Sequence, residues 1–186
     1  PDEIEPLLPV DICECRCVSG GGELVERDDA LQAIVKVFFR KTDRNVLLYG
    51  EEGVGLTTVA RLLAKALREG KYPSLRALRV LWFDLRGLAQ EDYDRAAERL
   101  MRFIEEEPER IYVVEGFCRY FKARFSSVSG RLRRGEARLL LLAGMAEYNE
   151  LSALGSQLSA CVETLRLSEP NRNDSGVSRN SSAVQA

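Results

Sequence analysis

The sequence contains no histidine and little lysine. Without an imidazole, the chain can form neither a histidine-dependent catalytic triad nor a histidine metal site. Most of its 27 basic residues are arginine. Any site that requires a lysine must therefore use one of the five that are present: Lys36, Lys41, Lys65, Lys71 and Lys122.

Long apolar runs and a strong net charge are also missing. The longest apolar run, 139–144, is much shorter than the roughly 18–20 residues that a transmembrane helix needs. The net charge of −2 produces no overall field that would attract nucleic acid or an anionic membrane. We therefore expect no nucleic-acid partner and no membrane span.

Cysteine occurs five times, an odd number, and the acidic N-terminus lacks the basic start of a signal peptide. Both features favour a reducing compartment. We expect a cytoplasmic protein, or a protein of an organelle stroma or matrix if a transit peptide has been removed.

Three of the cysteines, Cys13, Cys15 and Cys17, alternate along the chain. In a strand their thiols would share one face, and they could bind zinc with a fourth ligand. Because the paired spacing of zinc ligands is missing, a strand or loop with free thiols is the favoured interpretation.

The apolar content is sufficient for one folded domain: 45% of the 186 residues are hydrophobic. Residues 1–22 are predicted to be an arm, because the triplet at 20–22 is all glycine and interrupts regular structure. Residues 23–170 are predicted to be the domain, and the polar residues 171–186 a disordered tail.

Strand and helix patterns alternate within that domain, which predicts an α/β fold with a parallel sheet covered by helices on both faces. The predicted strands are Val46–Tyr49, Val80–Asp84, Ile111–Val114, Arg138–Leu142 and Val162–Leu167. The predicted helices begin near Asp28, after the glycine-rich stretch, at Asp92, at Phe117 and at Glu147, with a loop at Ser126–Gly130.

The glycine-rich stretch lies between a predicted strand and a predicted helix, which is the context of a phosphate-binding loop. Its glycines would allow backbone N–H groups to point at an anion, and the hydroxyl of Thr57 is placed to bind magnesium. The candidate phosphate-binding residues are Gly50, Glu51, Glu52, Gly53, Val54, Gly55, Leu56, Thr57 and Thr58.

Leucine stands at position 56, where such a loop requires lysine. A hydrogen bond to a charged group contributes about 1.5–3 kcal/mol, so its loss weakens binding roughly tenfold to hundredfold. Glu51 and Glu52 add further negative charge. Two interpretations remain open here: weak nucleotide binding, or a glycine turn that serves the fold alone.

Three other features favour structural roles. The arginine-rich stretch 119–138 is predicted to be a solvated face or a subunit interface, because no aromatic residues are interleaved for base stacking. Trp82 is predicted to lie in the core. Cys118 has no histidine to activate its thiol.

Several segments occur in the order of a known family: Leu24–Asp28, Phe39–Asn45, Gly50–Thr58, Ala66–Pro73, Val80–Leu85, Ile111–Gly116, Arg134–Arg138 and Ser168–Pro170. Together they resemble the first ATPase domain of the Clp family of AAA+ unfoldases. The resemblance implies a P-loop NTPase three-layer sandwich with five parallel strands in the order 5-1-4-3-2.

The same resemblance implies ATP or ADP with Mg²⁺ as the cofactor and a ring of Clp-type subunits as the protein partner. It places Val25 and Arg27 beside the adenine, and Thr57 and Glu115 at the metal. It also implies a helical lid after position 170, where we instead expect the disordered tail 171–186.

The departures from the family pattern fall on its catalytic positions. Leu56 replaces the lysine, and Gly116 replaces the glutamate that polarises water; the sensor residue falls near 143–144 and the paired arginines near 160–161. An arginine finger alone contributes roughly 10³–10⁵ in rate. This pattern predicts a pseudo-ATPase that acts as a protein-interaction or regulatory module. The alternatives are an ATP-binding subunit completed by a partner and a decaying chaperone fragment.

Overall fold

The structure is a computed structural model that describes residues 10–11, 27–169 and 177–179, with side chains for 27–169. The sheet has seven strands: β1 Val10–Asp11, β2 Asn45–Gly50, β3 Arg79–Asp84, β4 Arg110–Glu115, β5 Arg138–Gly144, β6 Glu163–Leu167 and β7 Val177–Arg179. The predicted thiol cluster at Cys13, Cys15 and Cys17 lies outside the described residues, as does Val25.

Five strands, β2 to β6, are parallel and lie in the order β3-β4-β5-β2-β6. If these strands are numbered one to five along the chain and read from β6 across to β3, the order is 5-1-4-3-2. This confirms the order implied by the resemblance. The sheet has an additional short strand at each edge. Strand β1 pairs antiparallel with β3, and β7 pairs antiparallel with β6, so the predicted five-stranded sheet is extended by parts of the predicted arm and tail.

Seven α-helices connect the strands in residues 27–169: α1 Asp28–Phe38, α2 Leu56–Arg68, α3 Gln90–Glu106, α4 Cys118–Ala123, α5 Phe125–Arg134, α6 Met145–Ser152 and α7 Ser156–Ser159. A 3₁₀ turn lies at Pro73–Leu75. In the described part of the chain, none of the helices combines the length and the apolar character that crossing a membrane would require.

Helix α5 corrects one prediction, because it includes Ser126–Gly130, which the residue types indicated as a loop. Val128 and Leu132 lie one helical turn apart and are both buried. Packing of these two side chains against the core outweighs the poor helix propensity of the serines and glycine around them.

Side chains that alternate along the strands build a core on each face of the sheet. Leu47 and Tyr49 of β2 pack with helices α3 to α7, whereas Val46 and Leu48 pack with α1 and α2. The result is the expected three-layer sandwich. Its register aligns the carboxyl ends of neighbouring strands: Gly50 lies beside Gly144.

Candidate functional site

The glycine-rich stretch forms a tight loop between β2 and α2. Gly53 and Gly55 have φ angles of +78° and +98°, a left-handed conformation that glycine adopts without steric cost. Gly50 is required for another reason. A Cβ at this position would lie 2.5 Å from the carbonyl oxygen of Leu167 on β6, so only glycine allows the two strands their close approach.

This loop forms one wall of a cleft of about 590 Å³ at the carboxyl edge of the sheet. All nine residues of Gly50–Thr58 line the cleft, together with Arg86, Glu115 and the segment 142–147. The structure therefore brings the predicted phosphate loop and the predicted metal ligands Thr57 and Glu115 to one place.

The charge in the cleft is opposite to that of a phosphate site. Leu56 is half-buried and packs against the core between the sheet and helices α1 and α2, so it contributes no charge. Among the described residues that line the cleft, one guanidinium faces four carboxylates: Glu51, Glu52, Glu115 and Glu147. The backbone loop suits an anion, but the side chains around it do not.

Arg27 anchors the loop from behind. Its side chain is buried, and Nη2 donates a hydrogen bond of 2.5 Å to the carbonyl oxygen of Val54 in the loop. Nη1 donates to the carbonyl oxygen of Ser168, just after β6, at 2.8 Å. These two bonds fix the loop against the end of β6, a structural role that the sequence analysis did not anticipate.

Glu115, the last residue of β4, is 5% exposed and accepts hydrogen bonds on both carboxylate oxygens. Oε1 accepts from Thr57 Oγ1 at 3.3 Å, and Oε2 accepts from Trp82 Nε1 at 2.9 Å and from Arg86 Nη2 at 3.2 Å. Burial raises the pKa of the Glu115 carboxyl above its ordinary value, and the charge of Arg86 offsets this only in part.

Arg86 is itself held by Asp84, at the end of β3. Nε donates to Oδ1 and Nη2 donates to Oδ2 of that carboxylate, each at 2.9 Å, and the Arg86 backbone N–H donates to Oδ1. Burial alone would raise the pKa of Asp84, but the hydrogen bonds from Arg86 outweigh it and hold that pKa below its ordinary value.

Sequence reasoning missed Asp84 and Arg86 as site residues and assigned Trp82 to the core. The indole of Trp82 does pack against the core next to α1 and α2, but its N–H also points at Glu115. The sequence did contain a signal for them. Asp84 ends a predicted strand and Arg86 follows it, and ligands of such sheets bind at the carboxyl ends of the strands.

Gly116 follows Glu115 with a φ angle of +77°. A Cβ at this position would lie 2.9 Å from the backbone nitrogen of Arg86 and 3.1 Å from the carbonyl carbon of Leu85. Its carbonyl oxygen accepts a hydrogen bond of 2.7 Å from Tyr93 Oη. The position that the resemblance gives to a water-polarising glutamate is therefore shaped for glycine.

Two residues of the arginine-rich stretch are paired within the domain. Arg131 forms ion pairs with Glu98 and Glu105, and Arg138 donates to the carbonyl oxygen of Phe38. Burial raises the pKa of the Cys118 thiol far above its ordinary value, which keeps it protonated.

Comparison with known proteins gives relatives of one kind. No protein-family model matches the sequence. Chaperone protein ClpB 2 of Parasynechococcus marenigrum (strain WH8102) is 28% identical over 165 residues, covering 80% of this chain and 18% of that protein. Chaperone protein ClpB of Tropheryma whipplei (strain TW08/27) is 25% identical over 164 residues, covering 81% of this chain and 24% of that protein.

A solved structure shares the fold. A cryoEM reconstruction of closed-state Hsp104 with ATPyS and FITC casein superposes with a TM-score of 0.67, at 17% identity, covering 88% of this chain and 30% of that one. The sequence relatives and the shared fold both support a Clp-type AAA+ domain in this chain. This Clp-type domain spans less than a quarter of the length of the two ClpB relatives.

Proposed function

We propose that this Clp-type AAA+ domain is a pseudo-ATPase, which binds ATP weakly at most and acts as a protein-interaction or regulatory module. The observation that carries the proposal is the backbone at Gly116. Its φ of +77° and the backbone of Leu85 and Arg86 beside it leave no place for the glutamate side chain that the family pattern requires there.

Hydrolysis of ATP would require groups that the cleft lacks. Removal of one donor that stabilises a transition state costs about 2.7–4 kcal/mol, or 10²–10³ in rate. Leu56 in place of lysine removes one such donor, and Gly116 in place of glutamate removes the acceptor that would polarise the attacking water. The two losses concern the same reaction, so we expect turnover to be negligible.

Nucleotide binding is weakened, but the loop backbone that would bind the phosphates keeps its geometry. The loop geometry at Gly53 and Gly55 and the anchoring of Val54 by Arg27 support an anion nest at the start of α2. The missing lysine costs about 1.5–3 kcal/mol, and the carboxylates Glu51, Glu52 and Glu147 oppose a polyphosphate further. We propose that ATP or ADP binds only at high concentration.

A protein partner gives such a domain its role. The cores on both faces of the sheet are intact, so the domain keeps the shape of a Clp-type subunit while the catalytic positions have changed. We propose that the partner is a ring of Clp-type AAA+ subunits, which this domain joins or regulates in the cytoplasm or in an organelle stroma or matrix.

The proposal is tested by phosphate release from ATP in the presence of Mg²⁺, with calorimetry of ATP binding on the same sample. We expect no turnover above background. The control is Thr57→Ala, which removes the hydroxyl that faces Glu115. Turnover in the wild type that disappears in Thr57→Ala would overturn the proposal.

A second candidate is an ATP-binding chaperone subunit whose activity a partner completes. The 3.3 Å hydrogen bond between Thr57 Oγ1 and Glu115 Oε1 favours it, because two groups that serve magnesium in the family are still adjacent. Calorimetry at millimolar ATP and Mg²⁺, alone and with a Clp-type subunit, distinguishes the two candidates. No heat in either case would exclude this one.

A further inference from the structure

The carboxylate that the family uses for magnesium has no free oxygen in this cleft. Glu115 is nearly fully buried, and its two oxygens accept from three donors: Thr57, Trp82 and Arg86. Mg²⁺ needs oxygen ligands at 2.0–2.1 Å in octahedral geometry and keeps several waters. A metal ion that bound Oε2 of Glu115 would have to displace Trp82 or Arg86, and one at Oε1 would share that oxygen with the Thr57 hydroxyl.

The donor that opposes a metal most strongly is Arg86. Its guanidinium carries a full positive charge 3.2 Å from Glu115 Oε2, and a second cation on the same oxygen would be repelled. Asp84 holds the guanidinium in this position through a two-point fork, with Nε and Nη2 each bonded to a carboxylate oxygen. Arg86 is therefore fixed before any ligand enters.

No larger group of acidic or thiol side chains offers an alternative to Glu115 in the described residues. Within the part of the chain that the structure describes, no three cysteine, aspartate or glutamate side chains group where they could hold an ion. The residues that the resemblance assigns to magnesium, Thr57 and Glu115, consequently do not fit it. The charge that a metal would supply is already supplied by the protein.

We propose that Arg86 is an internal cation that takes the place of magnesium, so that the cleft is independent of divalent metal ions. An anion that enters meets a guanidinium whose Nη1 has no hydrogen-bond partner in residues 27–169. The ligand class is a phosphate or polyphosphate group. The inference rests on the proposed function, since it concerns the same weak site.

Binding of Mn²⁺, a paramagnetic substitute for Mg²⁺, tests the proposal by electron paramagnetic resonance on the full chain without nucleotide. The wild type should leave Mn²⁺ free at millimolar concentration. Arg86→Gln should bind it at least about tenfold more tightly, because Asp84 and Glu115 are then two adjacent carboxylates without a cation. Adding Glu115→Gln to Arg86→Gln should abolish the gain, which locates the ion.

The matched control is Arg102→Gln, which removes another largely exposed arginine, one that pairs with Glu98 and does not line the cleft. It should behave as the wild type. Arg86→Met provides a second variant without charge if Arg86→Gln fails to fold. Equal Mn²⁺ binding in the wild type and the Arg86 variants, or no binding in any of them, would overturn the proposal. ATP turnover is measured separately, so failure of the proposed function and failure of this inference give different results.

Discussion

Arg27 and Val54 are joined by a buried hydrogen bond of 2.5 Å, from the guanidinium Nη2 to the loop carbonyl oxygen. The same side chain reaches Ser168, 141 positions along the chain. The loop is therefore held in its shape by a residue outside it.

Arg27→Gln is expected to lower the free energy of unfolding by about 1.5–3 kcal/mol, because the shorter amide cannot reach both carbonyl oxygens and the buried one, that of Val54, loses its charged donor. Urea unfolding followed by circular dichroism measures the loss. Arg102→Gln is the matched control, since an exposed pair contributes about 0–1 kcal/mol. Equal stability of the two variants would show that Arg27 does not anchor the loop.

Leu56→Lys is expected to strengthen ATP binding roughly tenfold to hundredfold, because it restores a charged donor to the phosphate loop. Its apolar stem can lie where the leucine side chain packs now. Turnover should remain absent, since Gly116 is unchanged. Calorimetry measures the affinity, and Leu56→Met serves as a control of similar size without charge. Equal affinities of Leu56→Lys and Leu56→Met would mean that the loop is not an anion nest.

Much of the fold is predictable because its signals are local. The central parallel strands β2, β4 and β5 are buried on both faces and read as short apolar runs, such as Val46–Tyr49, and the helices between strands show an apolar stripe. The edge strands β1 and β7 are only two and three residues long, too short for any pattern to reveal. Helix α5 was missed because two buried side chains, rather than propensity, stabilise it.

The candidate site was predictable only in part, for a similar reason. The spacing of Gly50, Gly53 and Gly55 marks the loop within nine residues. The environment of Glu115 comes from β3, and nothing in the local sequence links the two strands. Their pairing places Asp84 beside Glu115, which brings Arg86 into the cleft. Residues that become neighbours through strand pairing can be identified only once the register of the sheet is known.

Tyr112 should make stability fall at alkaline pH. Its ring is fully buried, and its hydroxyl donates to the carbonyl oxygen of Glu107. Burial raises its pKa to about 12, compared with about 10 for a free tyrosine. Folding therefore favours the neutral form. The stability that the neutral Tyr112 hydroxyl contributes is complete below about pH 10 and is lost as the pH rises towards about 12.

Urea unfolding across this pH range should show a smaller loss of stability for Tyr112→Phe than for the wild type, because phenylalanine has no proton to lose. The variant starts from a lower stability at neutral pH, since it lacks the hydrogen bond to Glu107. The informative quantity is therefore the slope against pH. Parallel curves for the two proteins would contradict the assignment to Tyr112.

Gly116→Ala and Gly87→Ala separate backbone strain from steric conflict. Both glycines have left-handed φ angles, +77° and +82°, but a Cβ at Gly87 would meet nothing within 4 Å. Gly87→Ala should cost about 1–2 kcal/mol in the free energy of unfolding, from the left-handed conformation alone. Gly116→Ala should cost about 1–3 kcal/mol more, because its Cβ would press on the backbone of Leu85 and Arg86. If the two variants unfold at the same urea concentration, the position does accept a side chain. The absence of a glutamate there would then be a simple substitution that Gly116→Glu could reverse, rather than a property of the backbone.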